Sequence, residues 1–144
     1  MFKTLVFTIL FVIQFSSMSS QSCTNIQGQW QNELGSVLQI DSISEEGEIL
    51  GVYKSSTGVD GKTFGLKGWI NSYESHPDEI NISFSVRWEG YGSITSWTGY
   101  CYNLNEQDQI KTVWHLVRSG KEFDWERIIS NSSVFMPINI NSAK

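Results

Sequence analysis

No break between the β-rich runs of this chain is long enough to hide a helical crossover, and that restricts what it can fold into. From Gln27 onward eight candidate strands follow one another: Gln27–Asn32, Ser36–Ser42, Glu48–Lys54, Thr63–Asn71, Ile80–Trp88, Ile94–Asn103, Ile110–Arg118 and Trp125–Phe135. The breaks are polar or Gly-containing turns: Glu33–Gly35, Ser44–Gly47, Ser55–Lys62, Ser72–Glu79, Glu89–Ser93, Leu104–Gln109 and Ser119–Asp124. A parallel neighbour needs a crossover of a dozen or more residues, so sequential strands should pair antiparallel. Ile80, Ile82, Phe84, Val86 and Trp88 alternate with Asn81, Ser83, Ser85 and Arg87, as a strand with one buried and one wet face requires. The spacing suits a sandwich or a barrel, and eight strands can close into a barrel that is filled or holds one small ligand.

The chain's 144 residues amount to about one domain, long enough for a true core. Lys3, the apolar run Leu5–Ile13 and the small polar stretch Ser16–Ser22 have the order of a secretory signal peptide over residues 1–22, with cleavage expected between Ser19 and Ser22. The domain should then cover residues 23–136, with a polar tail from 137 to 144. Export implies an oxidising compartment, where Cys23 and Cys101 are most simply one disulfide. Two cysteines without a histidine at ligand spacing make a poor metal site. Without Lys3 the chain carries 9 Lys+Arg against 15 Asp+Glu, a net charge of −6, and nothing basic is clustered. That argues against nucleic acid and anionic membranes as partners, and no later stretch approaches a membrane span. Asn81 and Asn131 head N-glycosylation sequons.

Catalytic groups are hard to assemble. His76 lies beside Pro77 in a polar turn, and His115 alternates outward between Trp114 and Leu116. Neither has a nucleophile at a recognisable spacing. Glu45 and Glu46 read as a solvated hairpin tip, and no phosphate loop or metal cluster is present. A non-catalytic protein without a cofactor is expected. The stretch Arg87–Cys101 (RWEGYGSITSWTGYC) is more telling, because Ser93, Thr95 and Trp97 share one strand face. Two hydroxyls and an indole facing inward suit a small-ligand wall better than an ordinary core.

These residues belong to a longer pattern. Gly28-Gln-Trp30-Gln-Asn-Glu-Leu-Gly-Ser36, Gly47-Glu-Ile-Leu-Gly-Val-Tyr53, Phe84-Ser-Val-Arg-Trp88, Ser93 to Cys101, Lys111-Thr-Val-Trp114-His-Leu116 and Trp125 to Phe135 follow in order from Cys23 to Phe135. In these pieces the chain resembles the avidin and streptavidin family, whose members bind biotin. The resemblance implies an all-β, eight-stranded antiparallel up-and-down β-barrel, secreted, that sequesters biotin in its mouth. It matches Asn32, Ser36 and Tyr53 to donors for the ureido oxygen, and Ser55 to an acceptor for one ureido N–H. Thr95 matches the hydroxyl that meets the thioether sulfur, and Ser93 the one near the carboxylate. Trp88, Trp97, Trp114, Leu34 and Leu116 match the apolar box, and Thr57, Gly58 and Val59 the loop that folds over the ligand. Trp125 matches a tryptophan lent by a neighbouring subunit, which implies a homotetramer. Cys23 and Cys101 match the disulfide of the avidin branch.

Ser133 departs from the pattern, standing where the family places Asn or Asp to accept the second ureido N–H. An N–H left unpaired in a dry pocket costs roughly 1–3 kcal/mol. Asn131, two residues earlier on the same face, or a water could take the role. Val59 is a second departure, at a position where streptavidin carries a polar residue near the carboxylate. The alternative reading is a barrel retuned to another small ligand, or one with weakened biotin binding.

Overall fold

The computed structural model describes residues 21–138 apart from residue 60 and the side chain of residue 78. Most of the expected signal peptide and the end of the polar tail lie outside these residues. Eight strands form the domain: β1 (Gly28–Asn32), β2 (Val37–Ile43), β3 (Glu48–Lys54), β4 (Thr63–Tyr73), β5 (His76–Trp88), β6 (Ser93–Leu104), β7 (Gln107–Arg118) and β8 (Ile128–Pro137). Each pairs antiparallel with the next, and β8 returns to β1 through Trp30–Pro137, Gln31–Met136 and Asn32–Phe135. The sheet therefore closes into a barrel, not a sandwich, and leaves no open edge.

Several element bounds differ from the expected ones. β4 and β5 run on through the polar stretch to a turn at Glu74–Ser75, so His76 and Pro77 open a strand. Their side chains are exposed, and the ladder persists because backbone pairing does not need an apolar face there. Asn105 and Glu106 both have positive φ, 51° and 64°, which makes a two-residue turn that matches strand twist. β6 and β7 thus reach Leu104 and Gln107, beyond their expected ends. Ser93 belongs to β6, and Trp125 lies not in β8 but in a single 3-10 turn, Asp124–Glu126.

Two glycines mark where neighbouring backbone presses close. A Cβ on Gly68 would lie 2.0 Å from the Ser83 carbonyl oxygen, and one on Gly99 1.9 Å from that of Lys111. Any side chain there would push adjacent strands apart.

The two barrel ends are finished differently. At one end the strand connections are tight, and Cys23 and Ile26 of the segment before β1 join the buried cluster that includes Trp30, Ile110 and Phe135. Ile26 is fully buried, and its carbonyl accepts the Trp30 indole N–H at 2.8 Å. The Cys23–Cys101 disulfide staples this segment to β6. At the other end the longer connections leave a mouth.

Closing a loop with a sequence separation of 78 gives the disulfide an entropic stabilisation of about 4–5 kcal/mol in the chain-entropy model. The Cys23→Ala/Cys101→Ala double variant should lose stability of that order in urea unfolding, with the barrel's circular dichroism spectrum retained in water. A loss below about 1 kcal/mol would mean that the packing of Ile26 alone holds the plug.

Candidate functional site

The mouth opens into a cavity of about 280 Å³. Its floor is aromatic: Trp97 stacks on Phe84 with centroids 4.8 Å apart and planes 10° apart, and Tyr53 lies 5.0 Å from Trp97. Trp88 meets Tyr53 edge-on at 5.8 Å, and Trp114 and Leu116 complete the wall from β7. Strand alternation explains the arrangement, since β6 sends Ser93, Thr95 and Trp97 to the same inner face.

The polar groups divide by the hydrogen bonds they already make. Asn32 is buried, and its side-chain oxygen accepts the backbone N–H of Ser36 at 2.8 Å and of Leu34 at 3.1 Å. The amide is thereby oriented with its NH₂ group left to donate. The Ser36 hydroxyl accepts the Ser56 N–H at 3.1 Å and lies 3.2 Å from the Ser56 hydroxyl, whose own proton goes to the Leu34 carbonyl, so the Ser36 proton points at Ser56 and must turn from it to donate into the cavity. Burial pushes the Tyr53 phenol above the ordinary tyrosine value, with the Ser36 hydrogen bond opposing and the Glu33 carboxylate adding to the rise. Tyr53 is therefore a neutral donor.

The remaining groups have acceptor capacity to spare. Ser55 donates to the Thr57 carbonyl at 2.7 Å and accepts the Thr57 N–H at 3.3 Å, a local turn that leaves a lone pair free. Ser133 accepts the Trp114 indole N–H at 3.3 Å, and Thr95 that of Trp88 at 2.7 Å. The Trp97 indole nitrogen is buried without a partner. No lining residue among those described carries a formal charge.

The mouth gathers every expected ligand-site residue except Trp125. Leu34 belongs to the rim and not to an enclosed box, because the β1–β2 turn leaves it 61% exposed. Trp125 is 75% exposed and stacks on Phe123, 4.4 Å between centroids, away from its own cavity. Asn131 does not line the cavity, and its side-chain oxygen accepts the Ser132 N–H at 2.8 Å. Asn81 is exposed on β5. One lining residue was not anticipated: Tyr91, in the turn between β5 and β6. Its signal, an aromatic between two glycines in an otherwise polar turn, was available in the sequence.

Residues 19–138 match the model of the avidin family. The chain belongs to the avidin family. Avidin of Gallus gallus is 28% identical over 124 residues, covering 82% of this chain and 80% of the relative. Avidin-related protein 4/5 of the same species is 27% identical over 113 residues, covering 76% and 75%. Among solved structures, Xenavidin superposes with a TM-score of 0.67 at 34% identity, covering 78% of this chain and 96% of that one. A point variant of shwanavidin in complex with biotin gives 0.65 at 30% identity, covering 78% and 97%.

Tyr53 supplies a pH test. A phenol kept neutral in the fold contributes stability that is whole below pH 10 and is lost as pH rises through 10 towards the raised folded value. In a 295 nm titration, the difference between wild type and Tyr53→Phe should show a phenol that ionises only above pH 10. Ionisation of that phenol at or below pH 10 would mean that Tyr53 is open to water.

Proposed function

We propose that this protein is a secreted, non-catalytic biotin-binding protein that holds its ligand in the barrel mouth. The observation that carries the reading is the division of polar groups across one aromatic cavity. Asn32, Ser36 and Tyr53 present donors, while Ser55 and Ser133 retain acceptor capacity. A urea has one acceptor oxygen flanked by two N–H donors, which is the complementary pattern. Three donors on one oxygen polarise the group, and charge-assisted hydrogen bonds are the stronger kind. The Thr95 hydroxyl accepts from Trp88, so its own proton is available to a soft acceptor such as a thioether sulfur. Strand-mounted groups fixed by backbone contacts lose little freedom on binding, which favours high affinity. None of these groups forms a nucleophile–base pair, which supports a binding role over a catalytic one.

The exposed Trp125 supports assembly. An indole stacked on Phe123 outside its own barrel is available to close a neighbouring subunit's mouth, in a homotetramer. A second reading, weakened biotin binding or a different small ligand, is favoured by Ser133. Its hydroxyl is uncharged and already engaged by Trp114, so its hold on a second N–H is weaker than a carboxylate's.

Biotin at 100 times its dissociation constant should stabilise the native state by about 2.7 kcal/mol, read as a rise in melting temperature together with a change in tryptophan fluorescence. Absence of any shift at millimolar biotin would exclude the biotin reading in favour of the second one. Sedimentation should give the mass of four chains. Trp125→Ala should weaken biotin binding while leaving the isolated barrel's spectrum unchanged, and unaltered binding in that variant would exclude a lent tryptophan.

A further inference from the structure

The cavity lining among the described residues is uncharged, yet a cation is hydrogen-bonded to one of its lining residues, Tyr91. Lys62 closes the β3–β4 connection, the segment whose Thr57, Gly58 and Val59 line the mouth, and its backbone N–H donates to the Val59 carbonyl at 3.0 Å. Its ammonium donates to the Tyr91 hydroxyl at 3.2 Å and lies 5.6 Å from that ring's centroid. Tyr91 lines the cavity from the opposite connection, between β5 and β6, and its ring rests against Phe64 at 6.2 Å. Lys62 and Tyr91 thus join two mouth connections.

Among the described residues, the other charges near the mouth are differently disposed. Arg87 is paired with Glu89, and Arg118 spends Nε and Nη2 on the Glu126 carbonyl. Lys54 has its Cε 3.5 Å from the Cβ position on Gly61, on the exposed face of β3. Glu33 acts near Tyr53 at the other side of the mouth, where it accepts the Val134 N–H at 3.0 Å. Val59, on the same connection as Lys62, offers no side-chain donor.

We propose that Lys62, held by Tyr91, is a specificity-determining residue that supplies the counter-charge for a carboxylate leaving the mouth, so that the site prefers a free acid to its neutral amide. This rests on the biotin reading, because the ligand's buried end must be bound for its tail to reach the rim. The ammonium is a compact point charge on a flexible stem, and the Tyr91 hydroxyl and ring hold it without neutralising it. A partly exposed pair of this kind is worth a few-fold in affinity and is screened by salt.

The test compares biotin with biotinamide by competition and by melting-temperature shift on the intact protein. Wild type should prefer the acid by about fivefold at low ionic strength, with the ratio narrowing towards one at about 1 M salt. Lys62→Met should abolish the preference while leaving biotinamide affinity within about twofold, and Lys62→Arg should restore it. Lys54→Met, on the outer face of β3, should leave the ratio unchanged. Equal losses for acid and amide in Lys62→Met would make the lysine a strut and overturn the proposal, as would an equal effect of Lys54→Met. If neither ligand shifts the wild-type melting curve, the biotin reading itself has failed, and the two failures are thereby distinct.

Discussion

The pairing of the last strand with the first is the constraint on which the rest of the structure depends. Until β8 lies beside β1 there is no inside, only a curved sheet with two open edges. That seam is short, running from Trp30–Pro137 to Asn32–Phe135, whereas β6 and β7 pair along their whole length from Ser93–Arg118 to Leu104–Gln107. Its residues have double duties. Trp30 and Phe135 are fully buried in the core, while Asn32 and Ser133 line the cavity from either side of the junction. Glu33, accepting the Val134 N–H, extends the join by one more contact beyond the ladder. The polar end of the site is therefore built at the place where the barrel has least backbone pairing. Substitutions that loosen the seam should disturb the Asn32 side before they disturb the tryptophan wall.

Closure also sets a division between the ends. Ile26 and the disulfide fill one end with apolar volume and a covalent tether, so the other can be left open without exposing the core from both sides. The hydroxyls that line the open half are mounted on strands or pinned by local turns. Ser55 is held by Thr57, Ser36 by Ser56 and Asn32 by its own turn. Rigidity at the mouth thus comes from hydrogen bonds, within single turns at Asn32 and Ser55 and between the β1–β2 and β3–β4 connections at Ser36, and rigidity at the floor from packing.

Much of this was legible in the sequence where burial imposes a period. The alternation of β5 from Ile80 to Trp88 appears in the fold as read, because its inner residues pack the core and its outer ones face water. The inward set Ser93, Thr95 and Trp97 was legible for the same reason. What escaped was controlled by the backbone rather than by burial. The β4–β5 hairpin continues through exposed side chains to Glu74–Ser75, and the Asn105–Glu106 turn depends on positive φ at two residues with no glycine. Trp125 looked like a strand residue by composition, but the β7–β8 connection spends it on a 3-10 turn. Tyr91 escaped because its turn reads as polar, although closure brings that turn over the cavity.

The three tryptophans of the wall are held by different means, and the difference has a cost. The indoles of Trp88 and Trp114 donate to Thr95 and Ser133, so each ring fixes a hydroxyl and is fixed by it. The Trp97 indole is buried without an acceptor, a deficit of roughly 1–3 kcal/mol relative to a satisfied donor. Its ring compensates by packing, stacked on Phe84 and within 5.0 Å of Tyr53, with Trp88 at 6.5 Å. Aromatic pairs contribute about 0.5–1.5 kcal/mol each beyond their buried area, so these contacts offset the orphaned N–H. The floor is accordingly set by ring geometry alone, while the upper wall is tuned by hydroxyls. A change of hydroxyl at 95 or 133 acts on an indole as well as on the cavity wall, whereas a change at 84 moves the ring on which the Trp97 floor is stacked.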